Sequence, residues 1–267
     1  MNNNSLGGGY TTFFKIFCSS LLENLNEILY IDADTIILDS LQDLANYDLT
    51  GYACAMVESA MSGEVKRYLD VVNYFNAGVI YINFNYWKEN EIDKKLAEAI
   101  KSEERFKITL VGDESLINVN LKGKILKLPL KYNYESSWWL WGWNRKLYKK
   151  LGWNNEKACP YSNVEIAQSF KKPIIVHYIN LTTGRPWDYL NDSPFRYEFR
   201  KYLAMLNPWK SIIIPNNGIG GNSKLITFLK WLFKKVLCFS MRSRLGYKQH
   251  EAFWKERIEE EVQRGKR

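Results

Sequence analysis

The sequence predicts an α/β domain with a mainly parallel central sheet, and three observations carry that expectation. Short apolar runs at 28–31, 52–57 and 173–176 have strand length without alternation, as strands covered on both faces do. Stretches of helical period stand between them, such as 92–102 with apolar residues at Ile92, Leu96, Ala99 and Ile100. Each run also ends on chemically capable side chains: Asp32 and Asp34, Glu58, and His177. Open α/β sheets present ligand-binding groups at the carboxyl ends of their strands.

At 267 residues with 46% hydrophobic content, the chain can bury one sizeable core. A domain over 10–215 is expected, with a basic amphipathic tail over 223–267 after the Asn- and Gly-rich loop 215–222. Aromatic residues make up 15%, a content that suits sugar faces and membrane interfaces, although core packing is the commoner use. A formal net charge of +8 invites nucleic acid, an anionic membrane or phosphorylated substrates. No nucleic-acid motif is present and the positive residues cluster in the tail, so nucleic acid is not expected as a partner. Cys18, Cys54, Cys159 and Cys238 are scattered, which points to a reducing compartment and away from a zinc or disulfide framework.

In chain order, 2–9 reads as a disordered polar lead, and 11–22 as a helix capped by a threonine. The buried strand 28–31 reaches Asp32, a short strand 35–38 follows, and 39–44 forms a helical turn. The strand 52–57 ends at Glu58, and a charged helical stretch leads to the strand 79–83. A helix opens at Gly112-Asp113-Glu114, with two acids at its positive end, and 125–128 is a strand. Residues 138–153 hold five tryptophans among Lys and Arg and read equally as an acceptor-sugar platform or a hydrophobic lid. The strand 173–176 ends at His177, and Arg185-Pro186-Trp187 follows.

Asp32 and Asp34 carry the chemistry. In extended backbone, residues i and i+2 face the same side, so both carboxylates can meet one hard divalent cation, Mn²⁺ or Mg²⁺, that in turn holds a diphosphate. Asp-x-Asp alone is a weak signal; the apolar lead-in strengthens it. The chain has only two histidines, and His177 at a strand end could complete that site, with imidazole favouring Mn²⁺. Glu114 beside Asp113 could stabilise a developing cation or attack it, or else simply serve the helix dipole.

Together these pieces resemble glycosyltransferase family 8, within it the bacterial lipopolysaccharide galactosyl- and glucosyltransferases. They are Leu29-Tyr30-Ile31-Asp32-Ala33-Asp34, then Tyr74-Phe75-Asn76-Ala77-Gly78-Val79 with Ile82-Asn83 and Trp87. Gly112-Asp113-Glu114 leading to Leu116-Ile117-Asn118 comes next, then Tyr132-Asn133-Tyr134, and His177-Tyr178 leading to Arg185-Pro186-Trp187. The resemblance implies a Rossmann-like GT-A fold and retaining transfer from UDP-glucose or UDP-galactose with Mn²⁺ (or Mg²⁺), onto a lipopolysaccharide or other surface-glycan acceptor. It puts Asp32, Asp34 and His177 on the metal, with Ala33 beside the donor, and Lys15, Asn76 and Asp113 on the donor sugar. Glu58 goes to the sugar or acceptor, Arg185 to the phosphates, and Asp113 and Glu114 to catalysis.

The chain departs from the family pattern at several points. It has Lys15 where the family has Arg, Arg185 where it has Lys, Glu58 where it has Asp, and Glu114 where the lipopolysaccharide enzymes carry Gln. The segment between His177 and Pro186 is longer. The family's opening strand, with its Asp and Asn for the uridine, belongs upstream of Thr11, so the chain reads as N-terminally truncated and a weak binder of UDP-sugars.

Two rivals stand beside this reading. Asp32-Ala33-Asp34 and Gly112-Asp113 imitate an aspartyl-phosphate phosphatase of the haloacid dehalogenase type, which leaves His177 and Asn76-Ala77-Gly78 unexplained. The other is an inactive transferase homologue serving as a binding or membrane-associated subunit. For location, 1–10 carries no signal-peptide pattern and no apolar run reaches the length of a membrane span. Over 223–240 a helical wheel gathers Leu225, Phe228, Leu229, Leu232, Phe233, Val236 and Phe239 opposite Lys230 and Lys234. That predicts a cytoplasmic protein held on the inner face of the plasma membrane by an interfacial helix against anionic lipid.

Overall fold

A computed structural model describes residues 10–22, 24–61, 63–101, 112–136, 159–179, 186–187 and 195–206. The lead 2–9, the segment 138–153, Arg185, the loop 215–222 and the tail 223–267 lie outside the described residues.

The described strands are β1 Glu27–Ile31, β2 Thr35–Ile37, β3 Cys54–Glu58, β4 Phe75–Asn83, β5 Ile125–Leu128, β6 Tyr134–Glu135 and β7 Ile175–His177. They form a four-stranded sheet in the order β1-β4-β3-β5 and a three-stranded sheet in the order β2-β7-β6. The α/β class stands, but the pairing is mixed where a mainly parallel sheet was expected. β3–β5 and β6–β7 are parallel, whereas β1–β4, β3–β4 and β2–β7 are antiparallel. The apolar runs report burial on both faces, and two covered faces produce the same pattern in either direction of pairing.

On the larger sheet, Cys54, Met56, Ile80 and Ile82 join one core cluster with Phe13, Ile16, Trp87, Leu96 and Leu116. Ala55, Val57, Val79 and Tyr81 join the opposite one with Leu44, Leu128, Tyr132 and Ile175. β1 is half-buried rather than buried, and it is terminal in the described strand order.

Three local features position the site. The N-terminal segment is a 3₁₀ helix, Tyr10–Phe17, with one α-turn after it, Cys18–Leu21, where a continuous helix was expected. A 3₁₀ helix stacks residues i and i+3, so Phe13 and Ile16 enter the core together, and Lys15 beside them is only 4% exposed. β4 begins at Phe75, earlier than expected, and its register against β3 shifts between Met56 and Glu58. Phe75 and Ala77 share a face with Ile80 and Ile82, so the alternation breaks between them. A bulge of this kind re-aims side chains, here those of Asn76 and Ala77, and the backbone at Gly78. Finally, Asn118 of the helix Asp113–Asn120 takes a strand's place beside Phe75, accepting from its N–H (2.7 Å) and donating to its carbonyl (2.8 Å).

A short helix, Phe84–Glu89, was not anticipated. The Asn83 side chain caps it by accepting from Tyr86 N–H at 3.0 Å, and it buries Phe84 and Trp87 one turn apart. The Trp87 indole donates to the Ala53 carbonyl at 2.9 Å. Trp87→Phe is therefore expected to lower stability by about 1–2 kcal/mol, from one lost hydrogen bond and a small void. Urea denaturation checks this; an unchanged midpoint contradicts it.

Candidate active site

Asp32, Asp34 and His177 each place one ligand atom within 4.8 Å of the others. His177 Nε2 lies 3.4 Å from Asp34 Oδ1 and 3.8 Å from Asp32 Oδ2. The cause of this convergence differs from the one read in the sequence. Ala33 and Asp34 occupy a turn, not extended backbone, and that turn carries the chain from β1 in one sheet to β2 in the other. β2 pairs antiparallel with β7 so that Thr35 stands opposite His177, which brings Asp34 to the imidazole. Asp32 N–H donates to the Gly78 carbonyl at 2.7 Å and Tyr178 N–H to the Asp34 carbonyl at 2.9 Å, pinning both acids by their backbones. Ala33 sits exposed at the tip.

Lys15 reaches into the same place. Its ammonium lies 2.7 Å from Asp113 Oδ2 and 3.6 Å from Asp32 Oδ1, donates to the Ala77 carbonyl at 2.8 Å, and covers the Tyr30 ring. Burial pushes the Asp113 carboxyl up from its ordinary value, and Lys15 opposes that push. Tyr30 donates to Asp32 Oδ1 at 2.7 Å, a role the sequence did not suggest.

Glu114, one residue on, accepts at one oxygen from Asn76 Nδ2 (2.9 Å) and Ala77 N–H (3.1 Å). Burial, with Glu135 and Asp113 nearby, pushes its carboxyl up from 4.5 to about 8 against the Ala77 hydrogen bond. The unfolded chain thus releases this proton near 4.5 while the folded chain keeps it to about 8, so Glu114 makes stability fall as pH rises through that window. Glu114→Gln, shaped like the protonated acid, is expected to flatten that fall and raise the Tm at pH 8; thermal melts across the window check it.

Burial holds the His177 imidazole below its ordinary 6.5, against the pull of Glu135 and Asp32, so it is neutral at pH 7 as a metal ligand must be. Gly78 makes room for the ring: a Cβ there would lie 2.2 Å from His177 Cε1. The donor set fits a divalent cation, with two carboxylates, one neutral imidazole and a glycine cradle shaped around that imidazole.

Glu58 keeps different company. Its buried carboxylate is shared by Lys127 (2.9 Å) and Lys66 (3.5 Å). Arg185, expected on the phosphates, lies outside the described residues. Glu135 and Asn133 were given no role from sequence, yet both are buried beside His177: Glu135 is its register partner across β6–β7 and accepts from Ser59 at 2.8 Å.

A family model described as "Glycosyl transferase family 8" matches residues 3–191. The chain belongs to that family. The phosphatase reading falls with this match. Among relatives of this family 8 chain, General stress protein A of Bacillus subtilis is 23% identical over 205 residues, covering 75% of this chain and 66% of its own. The lipopolysaccharide 1,2-glucosyltransferase of Escherichia coli is 28% identical over 205 residues, covering 74% and 55%. The chain thus spans about two thirds or less of these relatives' length. Among solved structures, the galactosyltransferase LgtC in complex with donor and acceptor sugar analogues superposes with a TM-score of 0.60 at 19% identity, covering 74% of this chain and 67% of LgtC. That likeness shows the fold, a glycosyltransferase of the GT-A type. Among the described residues, no helix is long and apolar enough to cross a membrane.

Proposed function

We propose that this family 8 chain transfers glucose or galactose, with retention, from a UDP-sugar to a lipopolysaccharide or other surface-glycan acceptor, with Mn²⁺ (or Mg²⁺) at Asp32, Asp34 and His177. The observation that carries this reading is the Asp–Asp–His group lying within contact of the Lys15–Asp113 pair, with Glu114 one residue away. The cation would supply charge stabilisation to the leaving diphosphate. Asp32 and Asp34 orient that charge through their pinned backbones, and Lys15 keeps the clustered acids Asp32 and Asp113 from repelling one another.

Asp113 faces Lys15 and so offers the donor hydroxyls a charged, oriented partner. As the anomeric carbon becomes oxocarbenium-like, Glu114 is the carboxyl positioned to stabilise or attack it once it has given up the proton that burial makes it keep to about pH 8, with Asn76 and Ala77 N–H holding one of its oxygens. Glu58 and Arg185 fall to the acceptor side and the phosphates. The tail 223–267 brings the enzyme to an anionic membrane surface on the inner face, where a lipid-linked acceptor resides.

The test is release of UDP from UDP-glucose and UDP-galactose, with Mn²⁺ and after chelation. Metal-dependent release with retained anomeric configuration in the product is the expected outcome. Release unaffected by chelation, or an inverted product, overturns the reading. Partition of the full chain and of one ending at residue 222 on anionic vesicles tests the tail, and equal binding removes its role.

A further inference from the structure

Asn133 is fully buried and touches both halves of the site, yet nothing so far gives it work. Its part follows from donors and acceptors that cannot turn around. Gly78 N–H is fixed by the backbone and donates to Asn76 Oδ1 at 2.9 Å. The Asn76 amide is thereby oriented, and its Nδ2 points at Glu114, where it donates at 2.9 Å. Asn76 Oδ1 has a second lone pair, and Asn133 Nδ2 fills it at 2.8 Å. With its nitrogen committed there, Asn133 turns its oxygen toward His177 Nδ1 at 3.1 Å. An amide oxygen carries no proton, so Nδ1 must donate.

A neutral imidazole has one N–H. If it is on Nδ1, then Nε2 presents a bare lone pair, and Nε2 is the nitrogen that faces Asp34 and Asp32 at 3.4 and 3.8 Å. These separations exceed an ordinary N–H···O bond and suit three ligands around one cation. The frame under Asn133 is rigid: β6 and β7 pair in register, and Ser136 N–H donates to the His177 carbonyl at 2.8 Å.

We propose that Asn133 is a positioning residue of the metal site, selecting the His177 tautomer whose Nε2 lone pair is offered to the cation. The selection is relayed from the Gly78 amide through Asn76, so the bulge in β4 sets the polarity of a metal ligand in another sheet. This rests on the metal reading of Asp32, Asp34 and His177 given above. A hydrogen-bonded partner on the far nitrogen of a ligating histidine is worth 10–100-fold in metal affinity in general.

The chain's two histidines make the experiment direct. In metal-free protein carrying His250→Gln, ¹⁵N NMR of the single remaining imidazole reads the tautomer. The expected wild-type result is a protonated Nδ1 and a lone-pair Nε2; a protonated Nε2 overturns the proposal without any further variant. Asn133→Leu is expected to shift the proton to Nε2 and to weaken Mn²⁺ binding by about 10–100-fold, measured calorimetrically with the metal alone. Asn133→Asp keeps an acceptor toward Nδ1 but loses the N–H given to Asn76 Oδ1, so it is expected to recover the tautomer in a less stable protein. If wild type binds Mn²⁺ and Asn133→Leu binds it equally well, the role of Asn133 fails while the metal site stands. If wild type shows the Nδ1–H tautomer and binds no Mn²⁺, the metal reading fails instead, and this role with it.

Discussion

Asp34→Asn is expected to abolish Mn²⁺-dependent UDP binding while the fold survives. The amide keeps the volume of the acid but loses one of only two charges in the donor set, and the Asp34 backbone remains tied through the Tyr178 N–H bond to its carbonyl. Removing a ligand should exceed the effect of losing a partner behind one, so Mn²⁺ affinity should drop by more than about 100-fold. Titration calorimetry of UDP with and without Mn²⁺ reads this, with circular dichroism as the control on folding. Identical Mn²⁺ titrations in wild type and variant would show that the three side chains meet for another reason.

Gly78→Ala is the second large effect, and it acts through space rather than charge. The added Cβ would lie 2.2 Å from His177 Cε1, 2.7 Å from Nδ1 and 3.0 Å from Asn76 Oδ1. No real methyl tolerates the first of these, and the ring cannot swing aside without breaking its bond to Asn133 in a buried site. Overpacking of this kind destabilises by about 1–3 kcal/mol. The displaced imidazole should also weaken Mn²⁺ by more than about 10-fold. Denaturant unfolding and Mn²⁺ titration are both needed, since a loss of stability with full metal affinity would place the strain elsewhere.

Much of the candidate site was legible in the sequence because it rests on rare residues in telling places. Two acids after an apolar run and one of two histidines at a strand end do meet. The reason they meet was not legible. Asp32 and Asp34 converge with His177 through a turn between sheets and a register between β2 and β7, and long-range register leaves no local signature. Asn133 and Tyr30 stood in the matching motifs but received no role, for a related reason: asparagine before a tyrosine and tyrosine in a strand are commonplace, and only the third dimension gives them partners. The helix Phe84–Glu89 was too short to show a period, and pairing direction is hidden when both faces of a sheet are apolar. Glu58 was singled out as a strand-end acid, and the lysines that hold it, Lys66 and Lys127, carried no signal in the sequence.

The turn at Asp32–Asp34 has a consequence for how the molecule comes together. It hinges two sheets, and the site closes only when β7, from far along the chain, docks against β2. Bringing together segments so far apart in sequence carries a loop-closure entropy that the pairing must repay. The three ligands meet only where this pairing is made, so metal affinity is expected to require the β2–β7 contact and not the β1 strand alone. A cation bound there would hold the smaller sheet onto the larger one, and the amides of β2 and β7 are where its arrival would first be felt as slower exchange with solvent.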